Sequence, residues 1–269
     1  MVKWEFKMET TSHTYVGIEC HRNRREKRLE LGMETLIERF WEEYNITEES
    51  KYPADASLID YTIKSEALSN NTDFRSLIIS VRYTAQIVRP FPVSFLSCNQ
   101  EKPTVKDCRT PRRIKADKIH LYGIGDSKRP VIQVYADSSW RILESQGGTV
   151  IFIGDSMCSM YSSSKKIKVG CHSSGDAELI ELYSSTYIAE YFYEFMKLLG
   201  LGLSQRLCWC RMGLTKAIIS TYKWVNEYDT EVVPCITKSM YSDHLTKVMM
   251  SHDFKKQKDV SYGRREQHI

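Results

Sequence analysis

The order of apolar patterns after residue 130 is what most constrains the fold. Residues 131–136 alternate apolar and polar side chains, and residues 149–153 and 157–162 follow as strand-like runs after Gly-rich or polar turns. Ser173-Ser174-Gly175-Asp176 then opens a long helix, since Ser173 with an acid three residues later approximates a capping box. Leu182, Tyr183, Tyr187, Ile188, Tyr191, Phe195, Leu198 and Leu199 supply its apolar faces and are expected in the core. Gly200 is a natural C-terminal cap. Residues 207–210 read as a short buried strand and 215–222 as a short helix. Strands of this kind with a long helix between them imply a sheet covered by helices, α/β or α+β in class.

The preceding part reads as a hairpin and helices. Residues 14–19 are expected to form one strand, Arg22-Asn23-Arg24-Arg25-Glu26-Lys27 a turn, and Leu29-Glu30-Leu31 the start of the return. Leu36, Ile37, Phe40 and Trp41 at helical spacing predict a helix over 33–44, with Glu38, Glu42 and Glu43 outward. A second helix within 74–97 ends at Arg89, because Pro90 disfavours a helical residue before it. The basic segment up to about residue 122 is read as helical, although Pro103 and Pro111 interrupt it. Gly123-Ile124-Gly125-Asp126 and Arg129-Pro130 mark a boundary. The expected units are 1–128, 129–254 and a polar, frayed tail over 255–269.

Composition excludes some function classes. Hydrophobic content of 42% with 27% charged residues is ordinary for a globular chain with a buried core. No run of 18 apolar residues occurs, so no spanning helix and no membrane partner are expected. Met1-Val2-Lys3-Trp4-Glu5-Phe6-Lys7 lacks the apolar region of a secretory signal. Eight cysteines at irregular spacings fit free thiols in a reducing compartment, cytoplasmic or nuclear. Cys208-x-Cys210 and Cys171-His172 lack structural-zinc spacing and read as buried thiols. Lys102, Lys106, Arg109, Arg112, Arg113, Lys115 and Lys118 face only Glu101, Asp107 and Asp117. Such a cluster suits phosphate contact, and equally suits a solvated face.

Five short motifs in order carry a resemblance. Tyr135-Ala136-Asp137-Ser138-Ser139-Trp140, Ser145-Gln146-Gly147-Gly148-Thr149-Val150-Ile151-Phe152, Ser162-Ser163-Ser164-Lys165-Lys166 and Ser173-Ser174-Gly175-Asp176-Ala177-Glu178 are the first four. Ile236-Thr237-Lys238 with Ser242-Asp243-His244-Leu245-Thr246-Lys247 is the fifth. They resemble, respectively, the first-strand Tyr-x-Asp motif, the second strand, the Ser-Ser-Lys-Lys turn, the helix start and the closing Asp-x-x-Thr-Lys motif of copia-type retrotransposon RNase H domains. Upstream, Tyr15-Val16-Gly17-Ile18-Glu19 resembles the primer-grip hairpin of the same Pol polyprotein's reverse transcriptase. Phe74-Arg75-Ser76-Leu77 and Val88-Arg89-Pro90 resemble landmarks of its connecting region, although Phe91 stands where the family has Asp. The resemblance spans roughly residues 6–254.

The resemblance implies an RNase H-like mixed sheet with flanking helices, preceded by a partial reverse-transcriptase palm hairpin and a helical connection. It implies RNA–DNA hybrid or other nucleic acid as partner, possible association with the remaining Pol polypeptide, and Mg2+ (or Mn2+) as cofactor, bound weakly if at all. Asp137, Glu178 and Asp243 match catalytic, metal-holding carboxylates; outside this context Asp137 reads as a turn-capping acid. Which of Asp176, Glu178 and Glu181 faces the site stays open, and Glu181 stands where the family has a small Ala. Gly17, Arg109, Arg112, Arg113, Lys115, Lys165 and Lys166 are the expected nucleic-acid contacts.

Two departures limit the chemistry. No adjacent Asp pair occurs in the chain, so polymerase activity is not expected of it. The third RNase H carboxylate should fall in Cys208-Trp209-Cys210-Arg211-Met212-Gly213-Leu214-Thr215-Lys216-Ala217-Ile218, but Gly213 occupies its place. No Asp or Glu occurs from Phe195 to Asn226, and the family's following strand is matched only by Glu227-Tyr228-Asp229. Two-metal hydrolysis needs several converging carboxylates, so hydrolysis is expected to be reduced by orders of magnitude or lost. The competing readings are a non-enzymatic nucleic-acid-binding or interaction protein, and a working enzyme that borrows a carboxylate.

Overall fold

The computed structural model describes residues 12–47, 72–88, 119–122, 131–140, 145–154, 159–200, 205–211, 230–236, 239–246 and 260. Among them the first sheet is antiparallel, in the order β1 (Ser12–Tyr15), β2 (Ile18–Asn23), β3 (Arg28–Gly32), β4 (Ile119–Tyr122). The chain reverses at Val16 and Gly17, both at positive φ (52° and 79°), as a two-residue hairpin turn of the primed kind requires. The single strand expected over 14–19 is therefore two strands and their turn. Gly17 takes this conformation without steric cost, so the chain folds back where apolar alternation alone would continue it.

Helix α1 (Glu34–Glu43) matches the expected span, with Ile37 buried and Glu38, Glu42 and Glu43 exposed. The Glu19 carboxylate accepts from the Thr35 N–H at 2.9 Å, which satisfies a free donor at the helix start. Helix α2 (Thr72–Val88) falls in the region where a helix was expected, and Arg89 and Pro90, on which its expected end rests, lie outside the described residues. Its Tyr83 hydroxyl donates to the Val16 carbonyl at 2.7 Å, which pins the hairpin turn. Met33 and Ile37 form a small core with Ile18, Leu31, Leu36, Trp41 and Tyr83. Residues 119–122 were expected to be helical and instead form β4 on the open edge of β3. Ile119-His120-Leu121-Tyr122 suits a strand in residue type, and its partner lies too far back in sequence for local pattern to register.

The second sheet holds five strands in the order β7-β6-β5-β8-β9. These are β5 (Val131–Ser139), β6 (Gln146–Ile153), β7 (Ser159–Lys166), β8 (Gln205–Arg211) and β9 (Thr230–Cys235). β5, β6 and β7 form an antiparallel meander, whereas β8 runs parallel to β5 and β9 parallel to β8. A parallel neighbour needs a crossover, and α3 (Ser174–Leu198) supplies it. This mixed sheet with its crossing helix is the RNase H-like arrangement that the motif order implied. Three details differ. Ser162–Lys166 is the end of β7 rather than a turn, because each residue pairs along β6. The last strand is Thr230–Cys235, later than residues 227–229, and Pro234 is tolerated in it because β9 is an edge. The helix expected over 215–222 lies outside the described residues.

Alternation along β5 divides the core. Ile132, Val134 and Ala136 pack with Ile151, Ile153, Leu182, Ala189 and Met196 under α3. Tyr135 packs on the other face with Val150, Phe152, Met240, Tyr241 and Leu245. Tyr135, Phe152 and Tyr241 meet edge to face at centroid separations of 4.9–5.9 Å. Val260 also belongs to this cluster, so the stretch expected as a frayed tail contributes one buried side chain whose burial outweighs its polar surroundings. The aromatic row of α3 is likewise corrected: Leu182 is buried, but Tyr183, Tyr187, Tyr191, Phe195, Leu198 and Leu199 are exposed. The sheet covers one stripe of the helix, where Leu182, Ala189 and Met196 are buried and Ile188, Phe192 and Tyr193 pack beside them.

Gly17 provides a direct check on the hairpin. A Cβ there would lie 2.9 Å from Leu36 Cδ2, on a backbone that L side chains avoid. Gly17→Val is expected to lower unfolding free energy by about 2 kcal/mol in urea titration, with the far-UV spectrum retained.

Candidate functional site

Asp137 lies on the central strand, two residues inside the end of β5, on the face opposite α3. Its register partner on β6 is Gly148. A Cβ on Gly148 would stand 2.7 Å from Thr246 Cγ2, 2.9 Å from Leu245 Cβ and 3.0 Å from the Ser242 carbonyl. The absent side chain is what lets residues 242–246 cross the strand. Thr246 Oγ1 lies 2.7 Å from Asp137 Oδ2 and 3.1 Å from the Asp243 carbonyl. A hydroxyl has one proton, and the closer acceptor takes it. The Ser164 hydroxyl of β7 donates to the Leu245 carbonyl and ties down the same turn.

This corner is dry. Asp137, Ser242, Asp243, His244 and Thr246 are 2%, 0%, 3%, 1% and 1% exposed. Burying a carboxylate is costly unless it is hydrogen-bonded, and a hydrogen bond to a charged group contributes about 1.5–3 kcal/mol. The first and last motifs of the sequence, Asp137 and Asp243 with Thr246, are thus brought together around one threonine.

The acids near the start of α3 take separate roles. Ser173 Oγ accepts from the Asp176 N–H at 3.1 Å, and Asp176 Oδ2 accepts from the Ser173 and His172 N–H groups at 3.1 and 3.0 Å. Asp176 is therefore the capping acid. Glu178 is half-buried, four residues before the buried Leu182 and so on the same helix stripe. Glu181 is the fully buried acid, at 1% exposure. Its Oε1 accepts from Thr149 Oγ1 at 2.6 Å, and Ser185 Oγ lies 2.6 Å from the same threonine oxygen. A Cβ on Gly147 would come within 1.9 Å of Glu181 Oε2. Gly147 thus makes the room that the long side chain needs where the family has a small residue.

Burial pushes the Glu181 carboxyl up to about 7, against the opposing pull of the Thr149 hydrogen bond, the Lys165 charge and the Ser185 hydroxyl. Lys165 pairs with Gly147 across β6 and β7, hence shares the face of Glu181. Lys166 is exposed at the strand end, and Gly17 sits in the first sheet as a turn residue. Arg109, Arg112, Arg113 and Lys115 lie outside the described residues, as does Gly213.

Mg2+ requires several hard oxygen ligands converging in near-octahedral geometry. Asp137 and Asp243 meet on one face of the sheet, whereas Glu178 comes from the helix on the other. Among the described residues, no three His, Cys, Asp or Glu side chains are grouped to hold a metal ion. The donor set among the described residues does not fit the implied ion. The sequence signals missed were the hydroxyl partners Thr149, Ser185 and Thr246. The Gly147-Gly148 doublet inside a strand announced them, because strand glycines mark close approach of other groups.

Two outcomes test this geometry. Gly148→Ala forces residues 242–246 away from Asp137 and is expected to cost about 2–3 kcal/mol in chemical denaturation. Glu181 keeps its proton in the fold to about pH 7, whereas the unfolded chain releases it near 4.5. Its contribution is therefore fully present below 4.5 and is lost as pH rises through 7, a fall of about 3 kcal/mol. Glu181→Gln should flatten that slope in melts between those pH values and exceed the parent chain in stability at pH 8.

No family model matches the sequence, and no curated protein matches it. Among solved structures, the chain is similar to the crystal structure of LC11-RNase H1 in complex with RNA/DNA hybrid, at 15% identity and a TM-score of 0.33. That match covers 44% of this chain and 93% of the other.

Proposed function

We propose that the chain derives from a copia-type Pol polyprotein, with residues 1–128 from the end of its reverse transcriptase and 129–254 from its RNase H domain. In this reading the second unit engages RNA–DNA hybrids and hydrolyses them poorly or not at all. The observation that carries it is the Thr246–Asp137 hydrogen bond. Two motifs more than a hundred residues apart in sequence, each matched to the same family on independent residues, converge on one corner of a sheet with the matching strand order.

Impairment is supported by the donor set. Asp137 and Asp243 are buried with a threonine between them, Glu178 approaches from the opposite layer, and Gly213 replaces the remaining acid. Metal positioning supplies most of the rate in this chemistry, so losing convergence removes turnover before it removes the fold. A hybrid's phosphate backbone is still available to Lys165, Lys166 and the basic segment through salt-dependent contacts. A role as a non-enzymatic binder is the alternative, consistent with the lack of a three-acid group among the described residues.

The test is incubation of a labelled RNA–DNA hybrid with the whole chain in Mg2+ or Mn2+, alongside a salt titration of binding. The expected result is retention of the hybrid at low salt, weakening as salt rises, without multiple turnovers. Turnover abolished by Asp137→Asn would show the remaining acids to be sufficient and end the impairment claim. Neither binding nor cleavage would remove the hybrid as partner.

A further inference from the structure

Helix α3 carries Tyr183, Tyr187, Tyr191, Phe195 and Leu199 at strict four-residue intervals. They are 55%, 67%, 69%, 45% and 59% exposed, and the neighbouring Leu198 is 85% exposed. Single exposed apolar residues are normal, but a row along much of a long helix and onto its C-cap is not. Scaled by exposure, these six side chains leave on the order of 700 Å² open to water, given the area that such side chains bury when covered. That exceeds the largest patch on most monomers, about 300–600 Å², and approaches the roughly 800 Å² that each partner contributes to a specific interface.

The charges flanking the row narrow the occupant. From residue 182 to 200 the helix has only Glu190, Glu194 and Lys197, and Lys197 is 3.5 Å from Glu194. Single-stranded nucleic acid stacks on aromatic rows where cations track its phosphates, and anionic membranes need juxtaposed basic residues. Along the row itself the helix has no excess cation for either. A protein surface remains, and the row suits its own copy. Residues at four-residue spacing form one of the helix ridges that pack against their like, in the commonest class of helix crossing. The row is also symmetric about Tyr191: an antiparallel copy sets Tyr191 beside Tyr191, Tyr187 beside Phe195 and Tyr183 beside Leu199. Such self-complementarity is what a two-fold interface requires.

We propose that the exposed ridge of α3 is the interface of a homodimer, packed antiparallel on a second copy about Tyr191. The tyrosine hydroxyls then lie at the wet rim while their rings are covered. This association is independent of hybrid binding and of residual hydrolysis.

Sedimentation of the full chain reads the claim, with Tyr187→Glu and Tyr191→Glu as variants and a circular-dichroism melt to check folding. The parent chain is expected at twice the chain mass in a concentration-dependent equilibrium, and each variant at the chain mass with its melt unchanged. Mild oxidation adds a symmetry-specific readout. Tyr191→Cys should give a cross-linked pair above the background of the native cysteines. Tyr183→Cys should not, since its twin sits about 24 Å away along the helix pair. A parent chain that stays monomeric well above micromolar concentration overturns the proposal. So does a dimer that persists in folded Tyr191→Glu, a partner other than the chain itself as the only species held by the ridge, or self-cross-linking of Tyr183→Cys as fast as that of Tyr191→Cys. If the Glu variants unfold, the contrast between the two Cys variants decides.

Discussion

Strand β6 is buried along its whole length because two layers close on it from opposite sides. Adjacent glycines make this possible, since neighbouring residues of a strand face opposite ways. Gly147 admits the Glu181 side chain of α3, and Gly148 admits the backbone of residues 242–246. Each glycine weakens a strand by about 0.5–1 kcal/mol. Covering Val150, Ile151, Phe152 and Ile153 returns about 1.5–3 kcal/mol per side chain. The doublet is thus favourable only because both layers arrive, which links the helix, the sheet and the closing turn into one cooperative arrangement.

The same division governs the acids. Asp137 and Asp243 belong to the layer beneath the sheet, and Glu178 and Glu181 to the layer above it. Below, a carboxylate is held by the Thr246 hydroxyl. Above, Glu181 is held by Thr149 with Ser185 beside it. Asp137 and Glu181 thus each accept a hydrogen bond from a threonine hydroxyl on one carboxyl oxygen. A hydroxyl donor of this kind stabilises the fold and occupies one of the lone pairs that an ion would need. A scaffold arranged in this way persists whether or not turnover persists, so family resemblance and activity separate naturally here.

Much of this was legible in the residues. The capping box at Ser173, helix α1 and the meander after residue 130 all depend on neighbours within a few positions, and local pattern reports such neighbours faithfully. The misread parts depend on distant partners. Val16-Gly17 looked like mid-strand because alternation continues through it; only the positive φ of two residues reverses the chain. Residues 119–122 became a strand because β3 had an open edge. Ser162–Lys166, matched to a turn by resemblance, is instead held as strand by its pairing along β6. At the site, Asp137 and Asp243 were found from motif context. Their actual link, Thr246, and the burial of Glu181 follow from close approach of layers, which a one-dimensional reading sees only as two glycines.

The exposed aromatic row follows from the same closeness. A helix that is apolar on every side ordinarily reads as a core helix, and that reading put Tyr183, Tyr187 and Tyr191 inside. Yet the face of α3 that meets the sheet is built around Ala177, Ser185, Thr186 and Ala189, with Leu182 and Met196 as its larger members. Small residues let the helix axis approach the strands, much as Gly147 lets Glu181 approach β6. Phe192 and Tyr193 still pack against the core beside this stripe, whereas Tyr183, Tyr187 and Tyr191 fall outside it and stay exposed. Their rings therefore contribute little to packing against the sheet, and the helix is held to it by the stripe that Leu182, Ala189 and Met196 bury.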